Sequence, residues 1–225
     1  IGMTCAKVTE AEALADAGIK DILIANQIVG ERKVERLLAL AARTQLRVAI
    51  DDIAQVQPIS AAASRAGVTV GLLIEVNIGM GRCGLAPGEP VLELAKKLAK
   101  LPGVRFDGLQ AYEGHLVDIV DPQERRQKVI DDFAKAVRTR RMIESAGIPV
   151  AVISGGSSST YDITGKIDGI DEIQAGTYVT MDWQYKLLRP EFENALTVAT
   201  RIISKPSADM AVADIGLKGM ATEFG

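Results

Sequence analysis

The chain has 225 residues, 48% of them apolar, and its 26 Lys and Arg against 29 Asp and Glu give a net charge of −3. That length suits one large domain or a barrel with an appendage, and the slightly acidic balance argues against a nucleic-acid surface, which carries a basic excess. Two cysteines are too few for a disulfide framework or a zinc knuckle; no apolar run reaches the roughly 18 residues of a bilayer span, no secretory cleavage pattern is visible, and a soluble, cytoplasmic protein is the expectation.

Short apolar runs alternate with amphipathic stretches. Residues 3–6, 21–25, 47–51, 70–76, 106–111, 150–153 and 172–175 are predicted strands, most of them unbroken apolar runs of the kind parallel strands show when both faces are covered. Between the first two, Thr9 followed by Glu12 reads as a capping box and Gly18 as the stop. Val34, Leu37, Leu38 and Ala41 make one apolar helix face, and Val91, Leu94, Ala95 and Leu98 another behind Pro90. Asp52 reads as the N-cap of the helix after the third strand, which removes Asp51-Asp52 as a paired-carboxylate site. The longest helix is predicted from Asp121-Pro122 to Gly147, burying Ile130, Phe133, Ala134 and Val137.

Seven strands alternating with helices nearly make a barrel of eight. Farther on, residues 196–204 and 210–215 read as strands joined by a turn containing Pro206, the start of a β domain. The expectation is an α/β chain: a TIM-type (β/α)8 barrel over residues 1–190 that lacks its first unit, then the start of a truncated C-terminal β domain over 191–225.

Parallel barrels carry their chemistry on the loops after the strand C-termini, and four such loops stand out. Gly79-Met80-Gly81-Arg82-Cys83-Gly84 surrounds one arginine with glycines, so Arg82 can project as a fixed cation and donor fork; the bland alternative is a solvated arginine. Ser154-Gly155-Gly156-Ser157-Ser158-Ser159-Thr160-Tyr161 offers backbone N–H groups and hydroxyls to an anion, usually phosphate. Gln174-Ala175-Gly176-Thr177-Tyr178 repeats that chemistry on the next strand. In Gln110-Ala111-Tyr112-Glu113-Gly114-His115, Tyr112 can pack on a planar ligand, while His115, the lone histidine, fits a structural role better than a catalytic one. Lys7 is a nucleophile candidate that fits a solvent-facing residue before a helix equally well.

Taken in order, these loops, together with Ala6-Lys7-Val8-Thr9-Glu10-Ala11-Glu12, resemble the D-threonine aldolase and D-serine dehydratase family, which shares the alanine-racemase-type barrel of fold-type III pyridoxal phosphate enzymes. The resemblance implies roles. Arg82 would contact the phenolic oxygen of pyridoxal 5′-phosphate, and Tyr112 would lie beside its ring where racemases carry a histidine. Gly156, Ser157, Ser158, Gly176 and Thr177 would hold its phosphate, with Tyr178 close by. Gln174 would face the ring nitrogen, where racemases place an arginine. The family's Schiff-base lysine would precede Ile1 and its metal ligands would follow Gly225, so no catalytic or metal-ligating residue is expected within the chain, and Lys7 does not match the lysine's position.

The resemblance further implies a lyase acting on D-β-hydroxy amino acids with a divalent metal (Mn, Mg, Co or Zn), in first place a D-threonine aldolase giving glycine and an aldehyde. A D-serine or D-threo-3-hydroxyaspartate dehydratase is the alternative. An amino-acid racemase or a non-catalytic cofactor-binding protein comes after it. The expected partner is a small D-amino acid substrate, with no nucleic acid or membrane, and the expected assembly is a homodimer.

Overall fold

The computed structural model describes residues 2–216 and 218–220. The chain divides into two compact units, Ile1–Tyr178 and Val179–Gly225. In the first unit, strands β1 (Met3–Cys5), β2 (Asp21–Gln27), β3 (Gln45–Ile50), β4 (Val70–Val76), β5 (Val104–Ala111), β6 (Val152–Gly155) and β7 (Glu172–Ile173) form one parallel sheet in sequence order. Helices α1 (Val8–Asp16), α2 (Glu31–Ala41), α3 (Ile53–Ala66), α4 (Glu89–Leu98), α5 (Pro122–Ser145) and the short α6 (Tyr161–Thr164) connect the strands. This curled parallel half-barrel of seven strands agrees with the expected TIM-type α/β architecture, and each of the seven predicted strands overlaps an observed one.

The two faces of the sheet follow from the two-residue period of a strand. On β4, Val70, Leu72, Ile74 and Val76 join the large core shared with the helices, while Leu73 belongs to a separate small cluster with Leu23 of β2 and Val152 of β6. A layer built from alternate strands is how a barrel interior fills. Below it, Arg47 of β3 bonds Asp107 of β5 (3.3 Å) and Glu172 of β7 (3.0 Å). Gly71 leaves room for these groups, since a Cβ there would lie 2.4 Å from Asp107 Oδ2. Above it, at the strand C-termini, Gln27, Glu75, Gln110 and Ser154 make the inner face polar. The interior thus changes from charged to apolar to polar along the strands.

Helix boundaries and faces obey local rules, with two corrections. Asp52 caps α3 through Ala54 N (2.8 Å), and Asp121 caps α5 through Glu124 N (2.7 Å), as predicted. The Thr9/Glu12 box does not form. The helix α1 N-cap is Lys7, two residues earlier than Thr9, so the third helical position is Glu10, whose carboxylate accepts from Ala6 N (2.9 Å) and Lys7 N (3.0 Å). Glu12 pairs instead with Arg36 of α2 (2.7 Å). On α5 the buried stripe is Val129, Phe133, Ala136, Val137 and Ile143, and Ile130 is exposed. The predicted set with Ile130 and Ala134 is rotated by about one residue, roughly 100° of helix. Losing the α5 cap in Asp121→Ala is expected to cost about 1 kcal/mol, read from the denaturant midpoint; an unchanged midpoint would show that α5 is anchored by packing alone.

The second unit holds α7 (Trp183–Leu188) and an antiparallel pair, β8 (Ile202–Ser207) and β9 (Met210–Ala213). The first strand of the pair starts later than predicted, and Pro206 lies within it, with the turn at Ala208-Asp209. A two-stranded ribbon has only edge strands, where a residue lacking an N–H is tolerated.

Candidate active site

Arg82 stands on a loop that is tied down at several points. Leu85 returns to the end of β4, exchanging backbone bonds with Glu75 O and Asn77 N (both 2.9 Å). Asn77 Oδ1 accepts from Gly79 N (3.1 Å) and Gly81 N (3.0 Å), and Asp51 Oδ2 accepts from Gly84 N (2.9 Å). Gly84 has φ +96° and no space for a side chain, since a Cβ would lie 2.9 Å from Glu75 O. Thus the glycines serve the tight return that the sequence suggested. His115 takes the structural role. Its Nε2 lies 2.9 Å from Asp132 Oδ2, and Asp132 also bonds Lys135, whose Nζ donates to Ile78 O (2.7 Å). This chain of contacts fastens the Arg82 loop to α5.

The guanidinium of Arg82 lies 5.2 Å from the ring centroid of Tyr112, within cation–π range, and 3.7 Å from Glu75 Oε1. Gly114 allows the Tyr112 ring to lie as it does, because a Cβ there would sit 2.4 Å from Tyr112 Cε1. Glu75 is buried and accepts from Gln27 Nε2 (2.5 Å). Burial pushes its carboxyl above the ordinary range, against the opposing pull of Gln27 and Arg82. The half-exposed Arg82 is therefore held between a buried carboxyl and an aromatic face. Lys7 lies exposed ahead of α1, the solvent-facing alternative.

The two hydroxyl-rich loops meet. Ser158 Oγ accepts from Tyr178 N (3.0 Å), Gln174 N donates to Gly155 O (2.8 Å), and Gln174 Nε2 bonds Ser154 Oγ (3.0 Å) and Gln110 Oε1 (3.4 Å). Gly156 adopts φ +77°, and residues 152–160 are buried. The Ser157 N–H donates to Thr160 Oγ1 (3.2 Å), and its hydroxyl lies 2.8 Å from Ser159 Oγ, so the backbone N–H of Ser157 is already engaged within the loop. Across the gap, a Cβ on Gly176 would meet no atom within 4 Å. Thr177 and Tyr178 form a 3-10 turn beside it. Buried hydroxyls facing an open glycine fit a phosphate, and the Arg82–Tyr112 pair fits a planar anionic ring. Among the described residues no group of three His, Cys, Asp or Glu side chains is placed to hold a metal ion, so these residues do not fit the expected metal.

Sequence reasoning passed over Glu75 and Glu113. A single charged residue inside the apolar run 70–76 was the available signal for the first. Glu113 is buried beneath the 154–161 loop, where its Oε1 accepts a short hydrogen bond from the Thr160 hydroxyl; its position between Tyr112 and Gly114 gave no periodic signal.

Comparison with known proteins agrees with this geometry. Residues 2–183 match the alanine racemase N-terminal domain. The chain is 33% identical to 3-hydroxy-D-aspartate aldolase of Paracoccus denitrificans, over all of this chain and 61% of that protein. With D-threonine aldolase of an Arthrobacter species the identity is 35%, over all of this chain and 60% of that protein. The crystal structure of D-threonine aldolase from Filomicrobium marinum superposes with TM-score 0.95 at 36% identity, covering all of this chain and 62% of that one. The chain thus spans about three fifths of the length of the relatives it matches. A parallel half-barrel with its polar loops gathered at the strand C-termini, matched over residues 2–183, places this chain in the alanine racemase N-terminal-domain family of fold-type III pyridoxal phosphate enzymes.

Proposed function

We propose that the whole protein is a pyridoxal phosphate-dependent lyase of D-β-hydroxy amino acids, acting as an aldolase that splits D-threonine or a close analogue into glycine and an aldehyde. The observation that carries the cofactor reading is the hydrogen bond between Ser158 and Tyr178, which joins two anion-type loops at the same end of the sheet as the Arg82–Tyr112 pair. The resemblance to two aldolases carries the choice of reaction. When bound, pyridoxal phosphate supplies the sink for the electron pair released at Cα.

The chain's own residues bind and orient. The loops around Ser158 and Gly176 seat the phosphate, and Arg82 offers a charged donor to the ring's anionic oxygen, steadied by Glu75 and Tyr112. Gln174 sits at the far side as a neutral amide whose Nε2 is engaged by Ser154 and Gln110. An arginine there would oppose protonation of the ring nitrogen more strongly. A small D-amino acid as substrate, a homodimer and a cytoplasmic location complete the proposal. No helix among the described residues is long and apolar enough to cross a membrane.

Incubating the full-length protein with D-threonine, D-serine and D-3-hydroxyaspartate and identifying the products tests the reading. Glycine plus an aldehyde is expected; a keto acid plus ammonia would make it a dehydratase, and racemisation alone would overturn the lyase. We also propose a divalent metal for the whole protein, held outside the described residues. Chelation is expected to lower turnover and to leave the cofactor's visible absorbance in place, since no cofactor contact proposed above is a metal ligand. Loss of that absorbance on chelation would show that the metal supports the cofactor site itself.

A further inference from the structure

The structure points to Gln27 as a positioning residue: we infer that its amide holds the buried Glu75 carboxyl with the other oxygen facing Arg82, and thereby aims the guanidinium at the anionic oxygen of the cofactor ring. The inference rests on the cofactor reading above.

Three strands set up the contact. Gln27 ends β2, Glu75 lies near the end of β4, and β3 runs between them. A bulge interrupts the pairing of β2 with β3: Ile24 pairs with Val48, yet Gln27 pairs with Ala49, so three steps along β2 match one along β3. Bulges of this kind re-aim a side chain beside a functional site. Val48 and Ile50 belong to the core shared with the helices, so the two-residue period turns Ala49 to the inner face. Only a methyl group stands there between β2 and β4. Two long side chains can therefore meet across it, and Gln27 Nε2 donates to Glu75 Oε2 at 2.5 Å.

Glu75 depends on this contact. Among the described residues Gln27 is the group that hydrogen-bonds its carboxyl, while Arg82 stands 3.7 Å from Oε1, an ion pair longer than a hydrogen bond. A buried carboxylate without a donor is costly. Burial raises Glu75 above the ordinary range, and of the groups that oppose this Gln27 acts most strongly, ahead of Arg82. The same Nε2 lies 3.4 Å from Asp51 Oδ2, the atom that accepts from Gly84 N, and Asp51 is itself held by Gln55 Nε2 of α3 (2.7 Å). The amide thus stands between the two carboxyls that flank the Arg82 loop, Glu75 before it and Asp51 at its return. A glutamine suits this place, with two N–H hydrogens for two acceptors and no charge to compete with Arg82. Removing it frees Glu75 to turn or to take up a proton, and either change withdraws the charge that faces Arg82.

The test uses the full-length apoprotein and compares its affinity for pyridoxal phosphate with that for 3-deoxypyridoxal phosphate, which lacks the ring oxygen. The ratio of the two affinities isolates the contact made to that oxygen, whereas a purely structural loss lowers both together and leaves the ratio unchanged. Gln27→Met, similar in size but without a donor, is expected to lower the ratio by about tenfold, within the one to two powers of ten expected for Arg82 itself. Glu75→Gln keeps the shape and removes the charge, and is expected to lower the ratio likewise, so the inference stays open to refutation if Gln27→Met does not fold. In an Arg82→Ala background Gln27→Met is expected to lower it no further. A ratio unchanged in either single variant, or a further fall in the Arg82→Ala background, overturns the role of Gln27 and leaves the cofactor reading standing. A ratio unchanged in Arg82→Ala overturns the contact of Arg82 with the ring oxygen and this inference with it. Binding of neither compound by the wild type overturns the cofactor reading as well.

Discussion

Phe133→Ala is expected to cost about 3–5 kcal/mol of folding stability, the range for emptying an aromatic site in a close-packed core. Phe133 is among the largest fully buried side chains of the molecule and sits at the centre of the inward stripe of α5. Its ring also underlies the end of β6: a Cβ on Gly155 would lie 3.0 Å from Phe133 Cε1 and 2.0 Å from Ala111 O. That glycine is where the sheet, the longest helix and the start of the hydroxyl-rich loop touch. The cavity left by Phe133→Ala would therefore loosen the base of the phosphate loop, and cofactor affinity is expected to fall along with the denaturant midpoint. A loss under about 1 kcal/mol, the typical cost of an average substitution, would mean that α5 closes over the gap and that the ring is not the anchor its burial indicates.

Arg82→Ala is expected to have the largest effect on cofactor binding with little effect on folding. As a charged donor its loss should cost about 1.5–3 kcal/mol of pyridoxal phosphate affinity, or one to two powers of ten. The fold should be nearly unaffected because half of the side chain is solvent-exposed and its ion pair with Glu75 is long at 3.7 Å. Arg82→Lys keeps the charge but not the planar fork or the stacking on Tyr112, so an intermediate loss is expected. Titration of the full-length apoprotein with the cofactor, alongside its unfolding curve, separates the two effects. Unchanged affinity in Arg82→Ala would return this residue to the solvated-loop alternative.

Much of the architecture was written locally. Most strands of the sheet follow an apolar run, and the Asp52 and Asp121 caps stand where a short acceptor precedes a helical pattern. The loops that carry the proposed chemistry were also visible, because glycine and hydroxyl residues directly after a buried strand are rare in anything but a built turn. What one-dimensional reading lacked was direction. On α5 the apolar residues surround enough of the helix that two adjacent stripes compete, and only the packing against the sheet buries Val129 and leaves Ile130 exposed. On β4 a run of apolar residues hides which side is inside, so Glu75 was passed over, although it is buried at the end of the strand beside Gln27.

The site depended on tertiary structure most of all. Arg82, Tyr112, Ser158 and Tyr178 come from four different strand ends, and their local sequences record only what each loop can do. The sequence by itself determined the elements, their order and the donors available at each loop, since these follow from propensity, period and residue chemistry within a few positions. The curl of the parallel sheet decided that Ser158 meets Tyr178, that Arg82 lies over Tyr112 and that Glu113 is buried under Thr160. Those contacts join residues far apart along the chain, and hydrogen bonding and burial between such residues exist only once the strands have been laid side by side.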